Sequence, residues 1–168
     1  MAFEPDEVAK WITQRLTTNS AITAIVGRHP TKGMWQVYQR VVPQGGTYPC
    51  VLFASITGNY TRGTGGYRIF ARLFYEIKAI NTGESYSGSL STLANLIDQS
   101  LQQAQDVSSS VVAGCSAVRP IQREDYDGNE RHNHYGNEYE IWAYAQSDDQ
   151  LGGVTTNIAE QGYPEVAG

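Results

Sequence analysis

The stretch that decides the fold is YRIFARLFYEIKAI, residues 67–80. Apolar and other residues alternate along it, which is the pattern of a β-strand with one buried face. At about fourteen residues it exceeds the usual strand length of five or six, so we expect it to reach beyond the globular body. One face carries Ile69, Ala71, Leu73, Tyr75, Ile77 and Ala79, and the other carries Phe70, Arg72, Phe74, Glu76 and Lys78.

Two further strands are expected before this one. Met34–Val42 reads as a first strand that closes on the turn Pro43–Pro49, and the apolar run Cys50–Tyr60 reads as a second. The second strand is joined to the long one by the tip Thr61-Arg62-Gly63-Thr64-Gly65-Gly66. Because these connections are short, we expect neighbouring strands to pair antiparallel.

Helices are predicted on both sides of this block. The stripe Leu90, Leu93, Ala94, Ile97, Leu101 and Ala104 is typical of a long amphipathic helix. Near the N-terminus, an apolar stripe from Val8 to Leu16 predicts a short helix. A second short turn follows it and ends at Gly27, a residue suited to a helix C-terminus.

The C-terminal part contains two more expected strands. The first is Val111–Gln122, in which Pro120 indicates an edge position. Arg123–Gly136 reads as a polar, charged loop, and the alternation in Glu138–Ala145 predicts the last strand. From Gln146 onward the sequence has no periodicity.

The predicted fold is therefore α+β. It has a mostly antiparallel sheet of about five strands, a long amphipathic helix packed on one face and a short N-terminal helix pair. We expect one such domain over residues 1–146 and an extended C-terminal tail over residues 147–168.

Composition narrows the possible functions. The chain has 168 residues, 40% of them hydrophobic, which fits one folded domain and argues against disorder. Its net charge of −5 argues against binding to nucleic acid through neutralisation of the phosphates. The N-terminus lacks the features of a signal peptide, and the chain has no apolar run of about 18 residues, so we expect a cytosolic product without a membrane span.

One cluster suggests metal chemistry. Asp125 and Asp127 precede His132 and His134, and a His-x-His pair in a strand places both imidazoles on one face. However, the segment Asp127–Glu130 has the composition of a turn, and no third ligand lies at a recognised spacing. We therefore expect a solvated loop and no metal-binding residue, with a metal-dependent hydrolase as a minor alternative.

No nucleophile or phosphate loop stands out either. Cys50 and Cys115 have no neighbouring base, and both lie in apolar surroundings, so we expect buried, inert thiols. The segment Gly63–Gly66 lacks the Gly-Lys-Ser/Thr ending of a phosphate loop and joins two strands. The sequence thus predicts no catalytic and no cofactor-binding residue.

The order of these parts resembles the tail-completion, or tail-terminator, family of long-tailed bacteriophages, over about residues 5 to 145. This family includes tail-to-head joining proteins. Four features carry the resemblance. They are the segment Ile22-x-x-Ile25-Val26-Gly27, the Tyr38 strand that leads through Pro43-Gln44 to Tyr48-Pro49-Cys50-Val51, the long strand Tyr67–Ala79 feeding the helix Leu90–Leu101, and Arg123-x-Asp125-x-Asp127 before the last strand.

The resemblance implies a structural virion protein rather than an enzyme, with no cofactor. It implies a hexameric ring at the head-proximal end of the tail tube, which ends tube polymerisation and joins the tail to the head. The expected partners are further copies of the chain, the tail tube protein and the head-tail connector or stopper protein. Genomic DNA would pass through the lumen without specific binding, and the ring would be assembled in the host bacterial cytoplasm.

Two other function classes stay open. A neck or head-completion adaptor of the same virion would differ mainly in where it sits, and a host binding module is a further alternative. For the leading hypothesis, the candidate interface is the glycine-rich tip, its flanking arginines and the aromatic residues opposite the core face. These residues are Arg62, Gly63, Thr64, Gly65, Gly66, Arg68, Phe70 and Phe74.

Overall fold

The computed structural model of this chain describes residues 4–64, 68–83, 88–102 and 111–145. The predicted tail, residues 147–168, lies outside these described residues. The predicted α+β class is confirmed by the order of the elements. These are α1 (Glu4–Thr17), α2 (Ser20–Val26), β1 (Val37–Gln39), β2 (Cys50–Arg62), β3 (Arg68–Thr82), α3 (Gly88–Gln102), β4 (Val112–Asp127) and β5 (Glu130–Tyr144).

The N-terminal helix pair forms as the sequence predicts. Asn19 caps α2, because its side-chain oxygen accepts hydrogen bonds from the backbone N–H groups of Ala21 and Ile22. Gly27 ends α2 with a φ of 68°, a conformation that glycine adopts without strain. None of the described helices has the length and apolarity needed to cross a membrane.

The five strands form one sheet in the order β1-β2-β3-β5-β4. The prediction of a mostly antiparallel sheet is wrong, because the sheet is mixed: β1 pairs parallel with β2, Val37 lying opposite Val51. The strand predicted at Met34–Val42 is only three residues long, Val37–Gln39. Because β1 has only three residues, it spans about 10 Å. The connection 40–49 can therefore run back to the level where β1 begins, so that β2 starts there and runs parallel to β1.

The prediction of a polar loop at Arg123–Gly136 is also wrong. β4 continues to Asp127 and β5 begins at Glu130, so that only Gly128 and Asn129 connect them. Gly128 has a φ of 63°, as the first position of a two-residue hairpin turn often requires. The polarity of this segment reflects an exposed hairpin with cross-strand charges, which residue composition alone does not distinguish from a loop.

Helix α3 packs on one face of the sheet, as predicted, but it is not the long helix expected. It has 15 residues and ends at Gln102, and Ala104 lies outside the described residues. A helix of this length spans about 22 Å, which is enough to cross β3, β5 and β4. The main core lies between this sheet face and the helices, and its largest fully buried side chains are Tyr75, Tyr139, Phe53, Ile12, Leu16, Ile22, Ile77, Leu90, Leu93, Ile97, Leu101 and Ile141.

The opposite face of the sheet, called the open face here, is covered by none of the described helices. At one end, Tyr38, Cys50 and Ile80 form a small second cluster, against which Val42 and Tyr48 of the connection 40–49 pack. At the other end the hairpin of β2 and β3 leaves the packed region, and every side chain of β2 from residue 55 to residue 62 is exposed.

Candidate interaction surface

The glycine-rich tip lies at the end of the hairpin that projects from the sheet. Arg62 at the end of β2 is in register with Arg68 at the start of β3, so the backbone brings the two predicted arginine positions together. Thr64 is exposed and Gly63 is half-buried, whereas Gly65 and Gly66 lie outside the described residues. The tip therefore combines an exposed position with a cationic side chain, as expected for a docking loop.

Phe70 and Phe74 lie on the open face, as the alternation in β3 predicts, and both are half-buried. The structure places them beside two aromatic residues of β5. The ring centroids of Phe70 and Tyr144 are 5.5 Å apart, and the ring of Trp142 meets Phe70 edge-on at 6.3 Å. We call this group, with Arg72 between its rings, the aromatic patch.

Arg72 holds the aromatic patch together electrostatically. Its guanidinium carbon lies 5.1 Å from the ring centroid of Phe74 and 5.7 Å from that of Trp142, within range of cation–π attraction. Its Nε donates to the carboxylate of Glu140. This hydrogen bond is the main reason why the pKa of Glu140 lies below its ordinary value.

Sequence reasoning missed Arg72, Trp142 and Tyr144 as candidates for the interface. A signal for the last two was present, because Tyr139, Ile141 and Ala143 alternate on the core face and force Trp142 and Tyr144 onto the other. The apolar surroundings of Trp142 in the sequence predict packing in the core or at a subunit interface and do not decide between the two. Only the pairing of β3 with β5 shows that it joins Phe70 and Phe74 in one patch.

Further along the open face, charged side chains pair with one another. Arg119 lies 2.6 Å from Glu138 across β4 and β5, and Glu76 contacts both Lys78 and Arg123, the latter at 3.3 Å. Burial opposes the ionisation of Glu76, but its cationic neighbours lower its pKa overall. Because each pair joins opposite charges, these residues do not create a field of one sign.

The two histidines of the suspected metal cluster lie in β5, not in the predicted loop. Both flank Asp125 of β4: its carboxylate is 3.0 Å from Nε2 of His134 and 3.8 Å from Nδ1 of His132. His134 is buried, and His132 packs against the ring of Tyr48 at 5.0 Å. Among the described residues, no three His, Cys, Asp or Glu side chains are grouped so that they could hold a metal ion.

The cysteines lie in the apolar surroundings that the sequence predicts. Cys50 is fully buried and Cys115 is half-buried in β4. Burial raises the pKa of each thiol to about 12, which keeps both protonated and unreactive at neutral pH. Within the described ranges, the aromatic patch and the adjoining hairpin tip therefore stay the candidate interaction surface.

Comparison with known proteins identifies a family and ten solved chains of similar structure. The sequence profile of a family described as tail completion protein gp17 matches residues 10–144. A search of curated proteins gave no match. A solved chain from "Virion of native gene transfer agent (GTA) particle" is 16% identical, with a TM-score of 0.53, over 80% of this chain and 92% of that chain. At this identity the likeness shows the fold alone.

Proposed function

This chain belongs to the tail completion protein gp17 family, and we propose from that membership that it is a structural protein of a phage-type tail. The resemblance noted in the sequence is thereby confirmed at the level of the family. In the proposed role, six copies close into a ring at the head-proximal end of the tail tube. The ring ends tube polymerisation and offers the surface that joins the tail to the head connector.

The observation that carries this proposal is the extent of the family match. Residues 10–144 run from α1 to the end of β5, so the match includes every described helix and strand rather than one local motif. The family's description, tail completion protein, refers to a part of a phage tail. This favours a structural subunit over an enzyme.

The surface described above suits such a role. Aromatic residues and arginine are enriched at the centres of protein interfaces, and the aromatic patch combines Phe70, Trp142 and Tyr144 with Arg72. The projecting hairpin adds a loop that reaches away from the sheet. In the proposal, the patch contacts a neighbouring subunit and the tip contacts the tube or the connector.

The charges suit a ring through which DNA passes. Each phosphate that a protein neutralises adds to affinity and would hold the genome back. The net charge of −5 and the pairing of Arg119 with Glu138 and of Arg123 with Glu76 leave little free cationic surface on the open face. We therefore propose a lumen that is neutral or negative and that binds duplex DNA weakly at physiological salt.

Deleting the gene in the particle that encodes this chain tests the role. We expect DNA-filled heads without tails, and free tails of irregular length, in electron micrographs. Complementation with the wild-type gene is the control. Normal joined particles in the deletion strain would contradict the proposal. If antibody against this chain labels heads from a tail-less mutant that keeps this gene, but not tails from a head-less mutant, the protein is a head-side adaptor instead.

A further inference from the structure

The outer edge of β2 is covered at one end and bare further along. β1 pairs only with Val51, Leu52 and Phe53. Beyond Phe53, no strand within the described ranges pairs with this side of β2. The next stretch, Ser55–Asn59, is exposed and contains neither a charged residue nor proline, and its pairing with β3 is irregular only between Ser55 and Thr57. Natural proteins use charges and proline to block unwanted pairing at a sheet edge, so a stretch without them is able to accept another strand.

The outer edge of β4 is protected over most of its length. Pro120 lacks a backbone N–H, and charged residues stand at Arg119, Arg123 and Glu124. The pairing of β4 with β5 is irregular at Val112/Gly114 and again at Ala117/Arg119. Between these irregularities, the stretch Gly114–Ala117 is regular, uncharged and made of small residues. A side chain added at Gly114 would meet nothing within 4 Å, so the sheet face beside this stretch is uncrowded.

These two stretches lie at the same level along the strand direction, on opposite edges of the sheet. Asn59 is opposite Arg72 in β3, Arg72 is opposite Trp142 in β5, and Trp142 is opposite Gly114 in β4. Among residues 4–64, 68–83, 88–102 and 111–145, no strand pairs with either outer edge at the end of the sheet that carries the aromatic patch. At the other end, β1 covers one edge and Pro120 with its charged neighbours protects the other.

The directions of the strands determine how copies can join. β2, β3, β5 and β4 are antiparallel in succession, so the two outer strands β2 and β4 run in opposite directions. A rotation about an axis parallel to the strands keeps the direction of every strand. A second copy related by such a rotation can therefore place its β4 antiparallel to β2 of the first copy. Repeating this step uses both edges of every copy and closes a ring, whereas pairing β2 with β2 would stop at two copies.

We propose that Ser55–Asn59 of β2 pairs with Gly114–Ala117 of β4 from the next copy, so that the sheet continues from subunit to subunit. The inference rests on the ring of the proposed function and names the edges that join it. Backbone hydrogen bonds between strands about 4.8 Å apart supply the attraction. In the continued sheet the aromatic patches of neighbouring copies share one face and are separated by β2 and β4.

Cross-linking within assembled rings tests this pairing. Asn59 and Ser116 are both exposed and lie on the open face, so Asn59→Cys and Ser116→Cys place thiols on one side of the proposed joint. A bismaleimide with a reach of about 8 Å spans diagonal neighbours on paired strands. Within one copy the two positions are three strand spacings, about 14 Å, apart. The native thiols Cys50 and Cys115 stay unreactive because burial keeps them protonated at neutral pH.

In full-length protein carrying both substitutions, we expect a ladder of cross-linked species up to the size of the ring. Each single substitution is the matched control and should give monomers only. Dimers from Asn59→Cys alone would indicate pairing of β2 with β2 and overturn the inference. Intact rings in native mass spectrometry without cross-links would overturn it while leaving the proposed function standing. If no oligomer forms, either in solution or on particles, both fail.

Discussion

Nε2 of His134 in β5 lies 3.0 Å from Oδ2 of Asp125 in β4, and this contact joins the two strands of the terminal hairpin. His134 is 5% exposed, and the cations Lys78 and Arg123 lie nearby. Burial lowers the pKa of His134; the hydrogen bond to Asp125 opposes this effect but does not reverse it. The neutral imidazole is therefore the form that the fold accommodates.

The stability of the protein should depend on pH through His134. In the unfolded chain a histidine has a pKa of about 6.5, and in the fold the pKa of His134 lies lower. Between these two values the unfolded state binds more protons, so the free energy of unfolding falls as the pH drops below about 6.5. Urea unfolding at pH 7.5 and 5.5 measures this loss, which should be smaller in His134→Gln. Equal pH dependence in the two proteins would contradict the prediction.

Replacing Gln36 should destabilise the fold. Its buried side chain donates to the carbonyl of Val26 at 2.6 Å and accepts from the backbone N–H of Thr47 at 2.7 Å, which ties α2 to the connection 40–49. Gln36→Leu leaves these buried groups without a partner, which costs about 2–4 kcal/mol. Chemical unfolding measures the loss. The control Gln39→Leu changes an exposed residue of β1 and should shift stability by about 0.5 kcal/mol or less.

Gly136 allows β3 and β5 to approach closely. A Cβ atom there would lie 2.3 Å from the carbonyl oxygen of Ile77 and 2.6 Å from Cα of Lys78. Both atoms belong to the backbone of β3 and cannot move without breaking the sheet. We expect Gly136→Ala to cost about 3 kcal/mol or more or to prevent folding, and Gly114→Ala, which meets nothing within 4 Å, to be tolerated. Matching thermal unfolding midpoints for the two variants would refute this account.

The sequence predicted the elements whose signal is local. The alternation in β3 correctly assigned its buried face from Ala71 to Ala79, and the spacing of apolar residues found all three helices. It failed at β1, because the direction of a strand depends on how the connection 40–49 returns and not on the residues of the strand. It also failed at the terminal hairpin, where charges on both strands resemble a loop until their cross-strand partners are known.

The candidate surface was predicted in part for the same reason. Phe70 and Phe74 were identified because they oppose the core face of a clearly alternating strand. Trp142 joins them only through the pairing of β3 with β5, which spans about seventy residues of sequence and has no local signal. The buried role of Gln36 was missed because its hydrogen-bond partners in Val26 and Thr47 lie ten or more residues away, and neither marks it in the sequence.

Substitution within the aromatic patch should impair assembly more than folding. Trp142 is half-buried on the open face, and its loss removes a contact of Phe70 and one of Arg72. If the patch is at the centre of an interface, Trp142→Ala weakens association by about 2 kcal/mol or more, roughly thirtyfold. Analytical ultracentrifugation and yields of joined particles measure the effect. The control Tyr126→Ala removes a ring that is 67% exposed on the distant hairpin, and it should assemble normally.

Shortening the glycine-rich tip separates folding from docking. The register of β2 and β3 is irregular between Thr61 and Arg62, so the chain leaves the regular ladder where the tip begins. Replacing residues 62–66 with Asn-Gly leaves five residues, Asn-Gly and 67–69, between Thr61 and Phe70, a connection length that hairpins commonly use. The pairing of Thr61 with Phe70 is then the last pair of the ladder, and we expect the monomer to keep its far-UV spectrum and unfold cooperatively.

The shortened protein should nevertheless fail to join tails to heads. Arg62 and the reach of the hairpin are both lost, and in the proposed function the tip contacts the tube or the connector. The matched control Gly63→Ala keeps the length of the tip and its arginine, and it should support joined particles at wild-type yield. The yield of joined particles is counted by electron microscopy, and the infectivity of the particles is measured in parallel. If the shortened protein completes particles at normal yield, the tip is only a turn, and docking resides in the aromatic patch and the sheet edges.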